Sequence, residues 1–152
     1  MALKTFALAV CLTVLIGCRG NTPTNLGVKD GRLADCPQSP NCVSSQSVAG
    51  DKEHYIQPLH YSGSRDVAKA TLVSVIESMK RTKIITVTDD YIRAEFTSRI
   101  FRFVDDVEFY FDDATKTIHV RSASRLGKSD LGVNRKRVES IRELFDRQME
   151  KK

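Results

Sequence analysis

Three stretches in the middle of the chain alternate apolar and polar residues with a period of two, and they constrain the fold more than any other feature. After Tyr91, Ile92, Ala94, Phe96 and Ser98 alternate with Arg93, Glu95, Thr97 and Arg99. Val107, Phe109 and Phe111 alternate with Asp106, Glu108 and Tyr110; Ile118, Val120 and Ser122 alternate with His119, Arg121 and Ala123. Side chains of a strand point to opposite faces in turn, so the pattern predicts an antiparallel sheet with one face buried and one wet. Turns are expected at Asp89-Asp90 and over 112–116. The β-branched run 83–88 adds a further strand. Residues 54–60 read as a short edge strand, because Pro58 has no N–H to give to a ladder.

Helical periodicity flanks this block. Val67, Ala68, Leu72, Val75, Ile76 and Met79 recur at helix spacing behind Ser64, which suits an N-cap, and predict a helix over 65–80. Val138, Ile141, Leu144 and Phe145 predict a second over 134–150. The order gives an α+β fold: an antiparallel four- to five-stranded sheet with two helices packed on one face.

The N-terminus carries a different signal. Lys4 precedes an apolar run, 6–16, too short for a membrane-spanning helix, which needs roughly 20 residues, but suited to a signal peptide. The run ends Leu15-Ile16-Gly17-Cys18, which resembles the bacterial lipobox. That resemblance implies cleavage after residue 17 and acylation of Cys18, with diacylglycerol on sulfur and a further acyl (palmitate-type) chain on the amine. Two or more chains anchor stably where one is reversible. Arg19 stands where Asp would mark inner-membrane retention, so the expected location is the cell envelope, on the periplasmic face of the outer membrane. Residues 18–32 are polar, aperiodic and rich in Gly, Asn, Thr and Pro, and read as a flexible tether. The folded domain is expected over 33–152.

Cys11 leaves with the signal and Cys18 is acylated, so Cys36 and Cys42 remain. Pro37 and Pro40 bias the loop between them towards turns, and an exported protein keeps disulfides. A Cys36–Cys42 disulfide is expected, stabilising by about 2–3 kcal/mol on the loop-entropy argument. Metal binding is the weaker alternative, because the spacing matches no zinc motif and no second pair exists. A redox-catalytic pair is weaker still, since Cys-x-x-Cys is absent.

The chain is net +5, and the excess is local. Residues 121–152 hold ten basic and five acidic side chains, whereas 18–120 hold thirteen and fourteen. Export argues against nucleic acid as the target of this basic end. An anionic membrane surface or envelope polymer fits better, and a solvated helix face is the simplest fate.

Cys36-Pro37-x-Ser39-Pro40-Asn41-Cys42-Val43-Ser44-Ser45-Gln46, then Phe103-Val104-Asp105-Asp106-Val107-Glu108-Phe109, then Arg121-Ser122-Ala123-Ser124-Arg125-Leu126-Gly127 and the run from Ser129 to Glu139 resemble the signatures of the uncharacterised domain family DUF1499. The resemblance spans about 33–145. It implies a small, often exported bacterial domain and no particular activity.

Polar chemistry concentrates over 121–137. Arg121, Ser122, Ser124 and Arg125 close a strand, Lys128 and Ser129 lie in a loop, and Asn134, Arg135 and Arg137 open a helix. Free N–H groups at a helix start bind anions, with hydroxyls and guanidiniums assisting. Cations in that turn oppose the helix dipole, which a bound phosphate, carboxylate or lipid headgroup would offset. The favoured reading is internal: Asp105, Asp106, Glu108 and Asp130 pair with Arg121, Arg125, Arg135 or Arg137 and lock the loop to the sheet.

Asp106 and Glu108 share a strand face and are the candidate catalytic carboxylates, with Asp105 opposite. His54, His60 and His119 match no metal motif, the serines lack a nucleophile-elbow context, the Walker order is missing, and no cofactor motif is present. The sequence thus favours a lipid-anchored, non-enzymatic module for an anionic ligand or an envelope protein. An envelope hydrolase or transferase using the Asp/Glu/Arg cluster is the alternative. Oligomeric state is not encoded in any motif.

Overall fold

A computed structural model describes residues 19–151. The signal (1–17) and the acylation site Cys18 lie outside the described residues. The elements are β1 (Cys42–Ser44), β2 (Leu59–His60), α1 (Arg65–Ser78), β3 (Thr82–Val87), β4 (Tyr91–Thr97), β5 (Val104–Asp112), β6 (Thr117–Ser124) and α2 (Val133–Met149). Among the described residues, no helix is long and apolar enough to cross a membrane.

The fold is α+β, and its one antiparallel sheet has six strands, more than the alternation alone disclosed. Strands β3 to β6 form a meander, and β1 and β2 both join the outer edge of β6. Cys42 pairs with Ala123 at one end of β6, and Leu59 with Ile118 at the other. The edge strand expected over 54–60 is confined to Leu59–His60, because Pro58 interrupts the ladder.

Both helices cover one face. Ala68, Leu72, Val75 and Ile76 of α1 and Val138, Ile141 and Phe145 of α2 meet Ile92, Ala94, Phe96, Val107, Phe109, Phe111, Ile118 and Val120 in one apolar core. Ser64 caps α1 by accepting from the Asp66 N–H. Asn134, Val138, Ile141 and Phe145 form the buried stripe of α2, so a polar residue holds the first position of its apolar face.

The second face is not wet, contrary to the simple reading of the alternation. Asp106 and Glu108 are 1% and 0% exposed, and Tyr91 and Arg121 are buried beside them. Part of the cover is the segment read as a free tether. The Gly27 N–H donates to Glu108 Oε1 (2.7 Å) from a backbone at φ +106°, a conformation that favours glycine. Further along, Leu33 is buried and its N–H donates to Gln46 Oε1 (2.8 Å).

Candidate functional site

The antiparallel register decides what the charged residues do. Tyr91, Arg93 and Glu95 of β4 lie on the same face as Asp106 and Glu108 of β5 and Arg121 of β6, with Arg93 opposite Glu108 and Glu95 opposite Asp106. Asp106 accepts from Arg93 Nε and Nη2 (3.1 and 2.9 Å) and from Arg125 Nε and Nη2 (2.7 and 2.9 Å). Glu95 accepts from the same two guanidiniums. Glu108 accepts from Arg121 Nη1 (3.2 Å), the Tyr91 hydroxyl (2.8 Å) and Gly27.

Burial pushes the Asp106 carboxyl up, but the Arg125 and Arg93 guanidiniums override it and hold it below the usual carboxylate range. Asp106 in turn keeps Arg125 firmly protonated. The Tyr91 hydroxyl is driven up, first by burial and then by the Glu108 charge. These are ion pairs locked in a low-dielectric layer. A general acid or base needs a proton exchangeable near working pH, and Asp106 is not tuned that way.

A second polar network lies under the helices. Arg137 Nη2 donates to Asp105 Oδ2 (2.5 Å), and its Nη1 donates to Ser122 Oγ (3.1 Å) and Asn134 Oδ1 (2.5 Å). The guanidinium also lies 4.9 Å from the centre of the Phe96 ring. Asn134 Nδ2 donates to the Asn41 carbonyl and to Ser124 Oγ, both at 3.0 Å. Asn41 Nδ2 donates to the Gly127 carbonyl. This network ties β1, β6, the loop after β6 and α2 together.

The candidate anion-binding residues are therefore not assembled into one site. Arg121 and Arg125 point to one face, and Ser122, Ser124, Asn134 and Arg137 to the other. Arg135 turns away to the carbonyls of Lys52, Glu53 and Tyr55, while Lys128 and Ser129 are exposed in the loop. The start of α2 is occupied from within: Asp130 accepts from the Gly132 and Asn134 N–H groups (3.0 and 2.6 Å). The internal pairing weighed from the sequence is what the structure contains for Arg121, Arg125 and Arg137.

Other residues were not singled out by the sequence. Arg93, Glu95 and Tyr91 complete the outer layer, and the signal for them was complementary charge at matching positions of adjacent strands. Arg142, like Arg135, holds the loop before β2, donating to the carbonyls of Gln57 and Pro58. Ser45 Oγ lies 3.3 Å from His119 Nδ1, but Ser45 also accepts from the Val120 N–H, and burial lowers the His119 pKa. Cys36 and Cys42 form the expected disulfide. Among the described residues, no group of three or more His, Cys, Asp or Glu is placed to hold a metal ion.

The open chemistry lies at the end of the sheet where β4 stops and β5 begins. A cleft of about 440 Å³ there is lined by Lys80, Arg81, Arg99, Lys136 and Arg137, with Phe96 and Val133 among its apolar walls. Beside it, a second cleft of about 390 Å³ is lined by Ile100, Phe101, Phe103 and Leu131. Neither is lined by Asp106, Glu108, Arg121 or Arg125.

The sequence matches the family described as "Protein of unknown function (DUF1499)" over residues 32–145. The chain belongs to the DUF1499 family. No curated protein matches it. The DUF1499 region opens just before the disulfide loop and closes at Phe145, the last buried residue of α2, so it holds every side chain of both polar networks. Gly27, which reaches Glu108, lies ahead of it.

Proposed function

We propose that this DUF1499 protein is a lipid-anchored lipoprotein of the bacterial cell envelope that acts as a non-enzymatic binding module for an anionic ligand. The lipobox at Cys18 and the signal ahead of it support the anchor, and Arg19 supports the outer membrane. The observation that carries the binding reading is the cleft beside α2. Five basic side chains line it, Arg137 among them already paired with Asp105, and, among the described residues, no acidic one does. The hydrolase alternative loses its main support, because Asp106 is consumed by Arg93 and Arg125 and Glu108 by Arg121, Tyr91 and Gly27.

The test has two parts. Labelled palmitate should enter the wild-type chain and not Cys18→Ser. In the purified protein, inorganic phosphate, polyphosphate and glycerophosphate headgroups are screened by thermal shift. Occupancy at 100 times the dissociation constant stabilises by about 2.7 kcal/mol. The shift should vanish in Lys136→Ala with Arg99→Ala, and persist in Lys116→Ala at the far turn. A shift untouched by the paired substitution sinks the cleft as the site.

A further inference from the structure

The loops at the β4–β5 end carry apolar side chains where solvent-facing loops ordinarily carry polar ones. Ile100, Phe101 and Leu131 are 78%, 66% and 87% exposed, and Phe103 and Leu126 are exposed too. The Phe101 and Phe103 rings stack 5.6 Å apart, so the turn presents a preformed aromatic tip. Leu131 is held outward on a left-handed backbone, φ +55°, a conformation unfavourable for a branched apolar residue. Arg99 lines the same cleft as these side chains and Lys136 the basic cleft beside it, and Arg102 and Lys128 are exposed next to them in sequence. The one acidic lining residue, Asp130, is engaged by the N–H groups at the start of α2. Apolar tips within a basic ring are the composition that partitions into the headgroup region of an anionic bilayer.

The position of the first described residues says what covers this face. Gly20 passes so close to the loop after β6 that a Cβ there would meet Arg125 Cβ at 2.9 Å and Leu126 Cγ at 3.0 Å. One residue, Arg19, separates Gly20 from Cys18, a span of at most about 7 Å. On the lipid-anchor reading, the acyl chains therefore enter the bilayer near the end of the domain that carries Leu126 and Leu131. The Arg125 N–H bonds to the Val104 carbonyl (3.1 Å), which brings that loop beside the aromatic turn.

We infer that the β4–β5 end of the domain lies on the surface of an anionic membrane, with Ile100, Phe101, Phe103 and Leu131 inserted among the headgroups and the surrounding Arg and Lys paired to lipid phosphates. The inference rests on the lipid-anchor reading. It adds an orientation: the sheet stands on its β4–β5 end, and the β5–β6 turn points away from the bilayer.

The chain has no tryptophan, so one substitution supplies a unique probe. Phe101→Trp reports the proposed contact, and Ala114→Trp reports the opposite turn, about 27 Å away along β5. Each full-length acylated protein is reconstituted into phosphatidylglycerol vesicles containing brominated acyl chains, with palmitate incorporation measured on the same preparation. The expected result is strong quenching and a blue shift for the probe at 101, and neither at 114. Arg99→Glu with Lys136→Glu should reduce the quenching at 101, by about fivefold per removed charge in the docked population, while the lipid keeps the protein on the vesicles. Palmitate incorporation with equal quenching at the two positions, or none at 101, overturns the docking face and leaves the anchor intact. Absence of incorporation overturns the anchor, and the docking inference with it.

Discussion

Asp105 and Asp106 are consecutive in the chain yet belong to separate buried networks: Arg137 binds the first beneath the helices at 2.5 Å, and Arg125 binds the second on the far side of the sheet at 2.7 Å. A strand inverts its side chains at each step, so one dipeptide fastens α2 to the inner face and the loop after β6 to the outer face. Both carboxylates are held in buried ion pairs, which directs the mutational expectations to stability.

Removing Asp106 strands two guanidiniums that it shares with Glu95. Asp106→Ala should destabilise the domain by about 3–5 kcal/mol, the cost of breaking a buried pair from one side. The Asp106→Ala, Arg125→Ala double variant should cost less than the sum of the singles. Urea denaturation with a double-mutant cycle measures the coupling, and additive losses would show that the pair is not energetically joined.

Asp106 also sets a pH dependence. Its folded pKa lies below the ordinary 3.8, so its stabilisation is present above that value and is lost as pH falls through the lower folded one. Acid titration followed by circular dichroism should show stability falling below about pH 4. In Asp106→Asn that part of the slope should be missing.

His54 acts in the opposite sense. Its hydrogen bond to Asp51 (2.7 Å) raises its pKa above the ordinary 6.5, while Nε2 faces the Ser39 carbonyl in the disulfide loop. That contribution is complete below pH 6.5 and disappears as pH rises through the folded value. His119, lowered by burial, works against it. The difference between wild type and His54→Asn in melting temperature should therefore shrink between neutral and mildly alkaline pH.

Tyr91→Phe removes one hydroxyl and leaves the ring. Glu108 then loses a donor in a fully buried site, at a cost of about 1.5–3 kcal/mol for a hydrogen bond to a charged group. Chemical denaturation reads this directly. A change within error would mean that water replaces the hydroxyl.

The Cys36–Cys42 disulfide closes a short ring, so Cys36→Ser with Cys42→Ser should destabilise by about 2–3 kcal/mol. The change should appear in the denaturation midpoint of the oxidised protein alone, and reductant should reproduce it in the wild type.

The alternation of Ile92, Ala94 and Phe96 and of Val107, Phe109 and Phe111 made the meander and its apolar face legible, as did the helical spacing around Leu72 and Ile141. Strand β1 was not legible. Three residues beside a disulfide have no period to read, and Cys42–Ser44 is a strand only because Ala123, Ser122 and Arg121 offer it partners. The buried outer face was hidden for another reason. Charge normally marks solvent, so although pairing of Arg121 and Arg125 with Asp106 and Glu108 was expected, only the register reveals that Arg93 and Glu95 join them and that the layer is buried. The turn 100–103 did carry a signal: Ile, Phe and Phe in a segment between strands have no place in the core.

The split edge of β6 has a consequence for how the chain reaches this state. Strands β3 to β6 each pair with a sequence neighbour, so the meander can zip locally and early. Strand β1 must wait for a partner about 80 residues downstream, with the entropy of closing that loop to overcome. Beside the disulfide ring, the bond from Asn134 to the Asn41 carbonyl then latches the two extremities of the domain together.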